Sequence, residues 1–130
     1  MNLDKICWDF GMNEDPPFPQ IEISLSSLEY ENYLSLYFKI DTGFSGTIGI
    51  TSQIVRNLKL EPKGSIPIYT AVGIKDTPIY LVKAKCSLAK IPETLLYAIE
   101  SPRAICGRVF LKNKIWIIDF KDLKFCYVEQ

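Results

Sequence analysis

Short segments in which apolar and polar residues alternate constrain this chain more than any other feature of its sequence. In one of them, Leu34, Leu36, Phe38 and Ile40 fall on one face and the residues between them on the other. A period of two residues is typical of a β-strand with one buried face. The same pattern recurs in residues 21–25, 47–51, 66–70 and 79–88. Many short strands with little helix predict an all-β fold that forms a closed barrel or a sandwich.

The remaining segments fill in the outline of the fold. Residues 1–20 form an N-terminal arm and a proline-containing loop, and residues 21–130 form the domain. Ser52 is the expected N-cap of a short helix, and residues 71–77 form a turn-rich tip between two strands. The apolar run at residues 95–99 fits a strand or a helix, because periodicity does not separate the two over so short a length. Residues 115–120 and 123–128 predict a final hairpin.

Composition and charge exclude several classes of function. Lys plus Arg and Asp plus Glu number 15 each, so nothing attracts the chain to nucleic acid or to an anionic membrane. Histidine is absent, which excludes Ser-His-Asp and Cys-His mechanisms and the usual zinc sites. The N-terminus lacks the apolar core of a signal peptide, and no apolar run approaches the length of a membrane span. We therefore expect a cytoplasmic protein without metal or cofactor. Its four separated cysteines are expected to be buried and reduced, with disulfides as the alternative that the sequence leaves open.

The segment that could carry catalytic chemistry is Asp41-Thr42-Gly43, which directly follows residues 34–40, the strand with the clearest alternation. Gly43 either lets backbone N–H groups approach the carboxylate closely or supplies a positive φ. A carboxylate that is desolvated by a strand and held by donors is a candidate acid–base group. The tripeptide alone is weak evidence for catalysis, because the same three residues also occur where an Asp caps an ordinary turn.

The surrounding segments give this triplet a context. An apolar strand precedes it, residues 66–82 with Gly73 near their tip follow as a candidate flap, and Ala104-Ile105-Cys106-Gly107-Arg108 comes about 60 residues later. In this order the chain resembles the retropepsin-like aspartic proteases, in particular the small single-lobe members of prokaryotes and archaea. The resemblance extends over residues 21–128. It implies a closed β-barrel with one lobe per chain.

The resemblance also implies a role for each matching residue. Asp41 would be the catalytic carboxylate, and Thr42 and Gly43 would support its loop. Val72, Gly73 and Ile74 would close over a bound peptide. Gly107 would pack beneath the loop, and Arg108 would brace the subunit through an ion pair.

The family mechanism needs two carboxylates, and Asp-Thr-Gly occurs once in this sequence. The resemblance therefore implies a homodimer that cleaves a polypeptide substrate as an aspartic endopeptidase. A second hypothesis is a dimer of the same fold with weak or no catalysis, which binds peptides or serves in assembly. A third is an unrelated small β-barrel in which Asp41 only caps a turn. Whether the N-terminal arm covers the site stays open at this stage.

Overall fold

A computed structural model describes residues 4–129 of the chain. Its strands are β1 (Lys5–Asp9), β2 (Gln20–Ser26), β3 (Leu34–Ile40), β4 (Ile48–Ile50), β5 (Ser65–Thr70), β6 (Gly73–Cys86), β7 (Ile91–Glu100), β8 (Ile105–Cys106), β9 (Ile115–Asp119) and β10 (Lys124–Val128). Two short helices, α1 (Ser52–Asn57) and α2 (Arg108–Leu111), and one 3₁₀ turn (Ser87–Ala89) complete the fold.

Six strands form a β-barrel in the order β2-β3-β8-β4-β7-β6. The barrel is closed because β6 also pairs with β2. β5 pairs only with the first half of β6, from Ser65 opposite Pro78 to Thr70 opposite Gly73. We call this part, residues 65–78, the flap hairpin. The predicted all-β, closed-barrel architecture is therefore confirmed.

The barrel closes around the apolar faces that the sequence predicts. Ile21, Ile23 and Leu25 of β2 are fully buried, as is Phe38 of β3, and Ile40 is nearly so. The alternate residues of β3 include the exposed Tyr37, so the strand buries one face only. Burying an aliphatic or aromatic side chain stabilises the fold by about 1.5–3 kcal/mol each. The alternation along these strands thus specifies both the register and the interior of the barrel.

A second sheet, in the order β1-β10-β9, joins the two ends of the chain, and we call it the terminal sheet. Its inner face is aromatic, with the ring of Trp116 stacked on that of Phe125 and tilted toward that of Tyr127. Trp8 packs against the same cluster. The described part of the N-terminal arm, residues 4–20, is therefore attached to the C-terminal strand through β1.

The cysteines differ from the sequence prediction. Cys7 of β1 and Cys126 of β10 are cross-strand partners and form a disulfide. Cys86 and Cys106 are free and buried in the barrel, as expected. The prediction of four reduced cysteines was wrong for the pair in the terminal sheet, because their 119-residue separation concealed that they are neighbours.

Several element boundaries also differ. Residues 95–99 belong to strand β7, which resolves the ambiguity between strand and helix. β6 begins at Gly73, six residues before the predicted start, so the turn at the tip of the hairpin contains only Ala71 and Val72. The N-cap of α1 is Thr51, whose Oγ1 accepts a hydrogen bond from the N–H of Ile54, rather than Ser52.

Within residues 4–129, no helix combines the length and the hydropathy that a membrane crossing requires.

Candidate active site

The position of Asp41 is set by two neighbouring strands. β3 runs parallel to the short strand β8, with Ile40 opposite Cys106. The ladder continues one step further, because the N–H of Asp41 donates to the carbonyl of Cys106 at 2.9 Å. Asp41 therefore leaves the sheet at a fixed point, half-buried at the end of a buried strand.

The carboxylate of Asp41 is held by its own loop. The N–H of Gly43 donates to Oδ1 of Asp41 at 3.1 Å, and the N–H of Phe44 donates to the Asp41 carbonyl, also at 3.1 Å. A Cβ at position 43 would lie 3.3 Å from Oδ1, which is tighter than ordinary contact, while φ of Gly43 is outside the left-handed region. Of the two reasons considered for this glycine, close approach of the backbone to the carboxylate is the one that applies.

Gly107 lies directly under this loop. Its N–H donates to the carbonyl of Thr47 at 2.8 Å, and a Cβ in its place would come within 2.3 Å of the carbonyl oxygen of Gly46. No side chain fits there without moving backbone. The two segments that sequence analysis placed together, residues 41–47 and residues 104–108, are thus in direct contact. We call residues 41–47 the Asp41 loop.

The side chains of Arg108 and Thr42 are exposed, in contrast to the buried Gly107. The N–H of Arg108 donates to the carbonyl of Phe44 at 3.0 Å, but its side chain is exposed. It takes part in none of the three ion pairs that join residues of the described part of the chain. Thr42 is exposed at the surface of the loop. The contact of Thr42 with a partner subunit and the ion pair of Arg108 both remain predictions.

An open cleft of about 770 Å³ lies between the Asp41 loop and the flap hairpin. Its lining residues come from the loop, the hairpin, the end of β7 and β8: Asp41, Gly43, Phe44, Ser45, Pro67, Ile68, Tyr69, Thr70, Lys75, Thr77, Ile99, Glu100, Ser101, Pro102 and Ile105. None of the described arm residues is among them. The cleft is open to solvent and its surface is mostly apolar, which suits a ligand that carries apolar groups.

The three predicted flap residues lie at the tip of the hairpin rather than along the cleft. Val72 is 98% exposed and Ile74 is 64% exposed, and neither they nor Gly73 line the cleft of the single chain. Gly73 has a φ of 125°, which side-chain-bearing residues rarely adopt. The side chain of Thr70 closes the turn by donating to the carbonyl of Gly73 at 2.8 Å.

The hairpin residues that do reach the cleft, residues 67–70, Lys75 and Thr77, were not among the predicted site residues. Residues 66–70 were predicted as a strand, but their alternation does not indicate which of them face a cleft, and residues 71–77 were assigned to a turn. The pairing of Ile68 with Lys75 across the hairpin is what places both over the cleft.

Two buried groups near the cleft have shifted proton affinities. Burial raises the pKa of the Cys106 thiol, so this cysteine beneath the Asp41 loop stays protonated and is no nucleophile. Desolvation, and then the neighbouring Glu100 carboxylate, raises the pKa of Tyr80. The Tyr80 hydroxyl donates to Oε1 of Glu100 at 3.2 Å, which orients this second acidic group of the cleft wall. In residues 4–129, no three Cys, Asp or Glu side chains are grouped so that they would hold a metal ion.

Solved structures share this architecture. The retropepsin-like aspartic protease from Rickettsia conorii superposes with a TM-score of 0.56 and 19% identity, over 98% of this chain and all of that one. The EIAV protease, solved in complex with the inhibitor HBY-793, gives a TM-score of 0.57 and 20% identity, over 78% of this chain and 92% of that one. The chain has the retropepsin fold.

The match with the Rickettsia protein covers so much of this chain that it extends into the N-terminal arm. The retropepsin fold here therefore includes the terminal sheet in addition to the barrel. No family model matches this sequence, and no curated protein matches it either.

Proposed function

We propose that this protein is an aspartic endopeptidase that is active as a homodimer. The observation that carries the proposal is the setting of Asp41. It stands at the end of a buried strand with Oδ1 3.1 Å from the N–H of Gly43, on the floor of an open cleft covered by a hairpin. The retropepsin fold supports the same function.

In the proposed mechanism, Asp41 from each of two chains flanks one water molecule. Two carboxylates so close together share one proton. The ionised carboxylate takes a proton from the water as its oxygen attacks the peptide carbonyl, and the protonated one donates to the carbonyl oxygen. The resulting tetrahedral diol collapses when the amine leaves and takes up a proton. The reaction needs neither a covalent intermediate nor a cofactor.

The other predicted residues support this dimer. Thr42 is exposed beside Asp41, where its hydroxyl is available to the matching loop of the partner subunit. Val72, Gly73 and Ile74 project from the barrel at the hairpin tip, where a bound peptide and a second chain bring them contacts that the single chain lacks. Arg108 begins α2, and its backbone N–H donates to the carbonyl of Phe44, which supports the proposal that this residue braces the subunit.

The test is cleavage of an unfolded polypeptide by the wild type and by Asp41→Asn. We expect the variant to lose at least about 10³-fold in kcat, since general acid–base catalysis of this kind contributes up to 10⁴-fold. Asp76→Asn is the matched control, because Asp76 is an exposed flap carboxylate that does not line the cleft, and it should retain activity. Sedimentation should show a dimer, and the rate should follow a bell-shaped profile with its maximum on the acid side.

Cleavage that survives Asp41→Asn would refute the mechanism, and a stable active monomer would refute the pairing. Binding of peptides in the cleft by a dimer that does not cleave them would favour the second hypothesis, a peptide-binding module of the same fold.

A further inference from the structure

The side chain that follows the triplet, Phe44, lies against two glycines. A Cβ on Gly46 would come within 2.5 Å of Cζ and 2.8 Å of Cε1 of the Phe44 ring. A Cβ on Gly107 would come within 2.7 Å of Cδ2 of the same ring. The ring therefore fills the space that side chains at both positions would need, and it joins the far end of the Asp41 loop to the start of α2.

The backbone of Phe44 connects the same two elements. Its N–H donates to the carbonyl of Asp41 at 3.1 Å, and its carbonyl accepts from the N–H of Arg108 at 3.0 Å. One step further, the N–H of Val109 donates to the carbonyl of Gly46 at 3.1 Å. A displacement of Phe44 would thus be transmitted directly to the residue that carries the carboxylate.

We propose that Phe44 is a positioning residue for Asp41: its ring, seated on Gly46 and Gly107, fixes the loop that presents the carboxylate. Phe44 acts through the loop and does not itself take part in the reaction. The consequence for catalysis rests on the proposed function, whereas the packing of the ring on the two glycines is independent of it. Two separate measurements therefore test the two parts.

The packing is tested by a pair of glycine substitutions. The three atoms nearest to a Cβ at Gly46 all belong to the Phe44 ring, so Phe44→Ala makes room for Gly46→Ala. At Gly107 the nearest atom is the carbonyl oxygen of Gly46, and the carbonyl oxygen of Phe44 is also within 2.9 Å, so Phe44→Ala does not make room for Gly107→Ala. The second position is a matched control for the first.

The expected result is a rescue at one glycine only. Gly46→Ala should lower the Tm by several degrees in the wild type, roughly 5 °C or more, and by less than about 2 °C in the Phe44→Ala background. Gly107→Ala should lower the Tm strongly in both backgrounds. Equal losses from Gly46→Ala in the two backgrounds would overturn the packing.

Positioning is tested by comparing Phe44→Ala, which removes a half-buried ring, with Phe10→Ala, which removes a buried ring of the same size near the terminal sheet. Phe44→Ala should lower kcat by about tenfold to a hundredfold, because small displacements of a reacting group cost this much, and this loss should exceed any rise in KM from the altered cleft wall. Phe10→Ala should leave kcat nearly unchanged below its own Tm. Phe44→Leu, which keeps an apolar side chain of similar size, should recover most of the loss.

The carboxyl ¹³C resonance of Asp41 provides a readout that does not need activity. It should move in Phe44→Ala and stay in place in Phe10→Ala. If the protein cleaves nothing, the proposed function fails while this spectrum still decides the role of Phe44. A kcat and an Asp41 resonance that are the same in Phe44→Ala as in Phe10→Ala would overturn the proposal.

Discussion

The floor and the roof of the cleft are built in different ways. The Asp41 loop is held by backbone hydrogen bonds to β8 and α2, and glycines allow its close contacts from below. The flap hairpin is a two-stranded ladder whose residues are almost all exposed, from Ser65 to Asp76. An isolated hairpin is only marginally stable in water. We therefore expect changes beneath the loop to affect global stability, and changes in the hairpin to affect its local opening and its contacts with a bound peptide.

The largest expected difference between floor and roof is seen when one aromatic ring is removed from each. Phe38 is fully buried on β3, three residues before Asp41, and Tyr69 is 80% exposed on the hairpin. Phe38→Ala should lower the free energy of unfolding by about 3–5 kcal/mol, the usual cost of emptying a core site. Tyr69→Ala should change it by less than about 0.5 kcal/mol. Urea denaturation measures both, and similar losses would show that the hairpin belongs to the same packed core as the floor.

The disulfide in the terminal sheet gives the next largest effect. Replacing Cys7 and Cys126 together by Ser should lower the free energy of unfolding by about 2–4 kcal/mol, because the bond restricts the unfolded chain over nearly its whole length. Amide exchange in the flap hairpin should not change, since the hairpin opens without the terminal sheet.

The control for this variant is the wild type in a dithiol reductant. The stabilities of the two proteins should converge there, because both then lack the bond. A difference that persists after full reduction would mean that the Ser side chains, and not the missing disulfide, cause the loss.

Features of the fold could be predicted from the sequence where they depend on residues that are close together in the chain. β2, β3, β4 and the second half of β6 were predicted because their sequences alternate, as Phe38 and Ile40 show in β3. β7 was left as strand or helix, and the two-residue β8 was not predicted as a strand. β1 was missed because its partner is β10 at the other end of the chain, and α2 because four residues show no helical period. The pairing of Cys7 with Cys126 does not follow from the spacing of four cysteines, which allow three connectivities.

Some residues of the candidate site were also predicted from the sequence, and others were not. Asp41, Gly43 and Gly107 were placed together by their resemblance to a known order of segments, and the structure brings them into one loop and its support. The packing of the Phe44 ring against Gly46 and Gly107 was not predicted, because it depends on the direction in which one side chain points. The same limit applies to Lys75, which reaches the cleft through its cross-strand pairing with Ile68.

Gly73 allows a smaller test that is confined to the roof. Its φ of 125° strains any residue with a Cβ, although no atom lies within 4 Å of the place such a Cβ would occupy. Gly73→Ala should therefore destabilise the hairpin turn by about 1–2 kcal/mol. Hydrogen exchange should show amides of residues 66–76 opening about fivefold to thirtyfold more often, with global unfolding less affected. Val72→Ala, at the neighbouring exposed position, is the control and should leave exchange unchanged. If Gly73→Ala lowered global stability as much as it lowers the local stability of the hairpin, the hairpin would not open independently of the barrel.

The smallest expected effect concerns a salt bridge behind the floor. Glu14 pairs with Arg103 and with Lys39, which is two residues before Asp41. The hydrogen bond from Arg103 contributes most to holding the pKa of Glu14 below its ordinary value of 4.5. Because the folded pKa is the lower one, the stabilisation is complete above pH 4.5 and is lost as the pH falls through the folded pKa.

Glu14→Gln should therefore unfold slightly more easily than the wild type at pH 7, and the difference should shrink below pH 4.5 and vanish once the carboxyl is protonated. The pair is accessible to solvent, so added salt should reduce the difference as well. Glu61→Gln, at an exposed position outside the three ion pairs of residues 4–129, is the matched control and should show no such dependence. Thermal unfolding across pH 3–7 measures both variants. A difference between Glu14→Gln and the wild type that stays constant over this range would show that Glu14 stabilises the floor by packing instead of by charge.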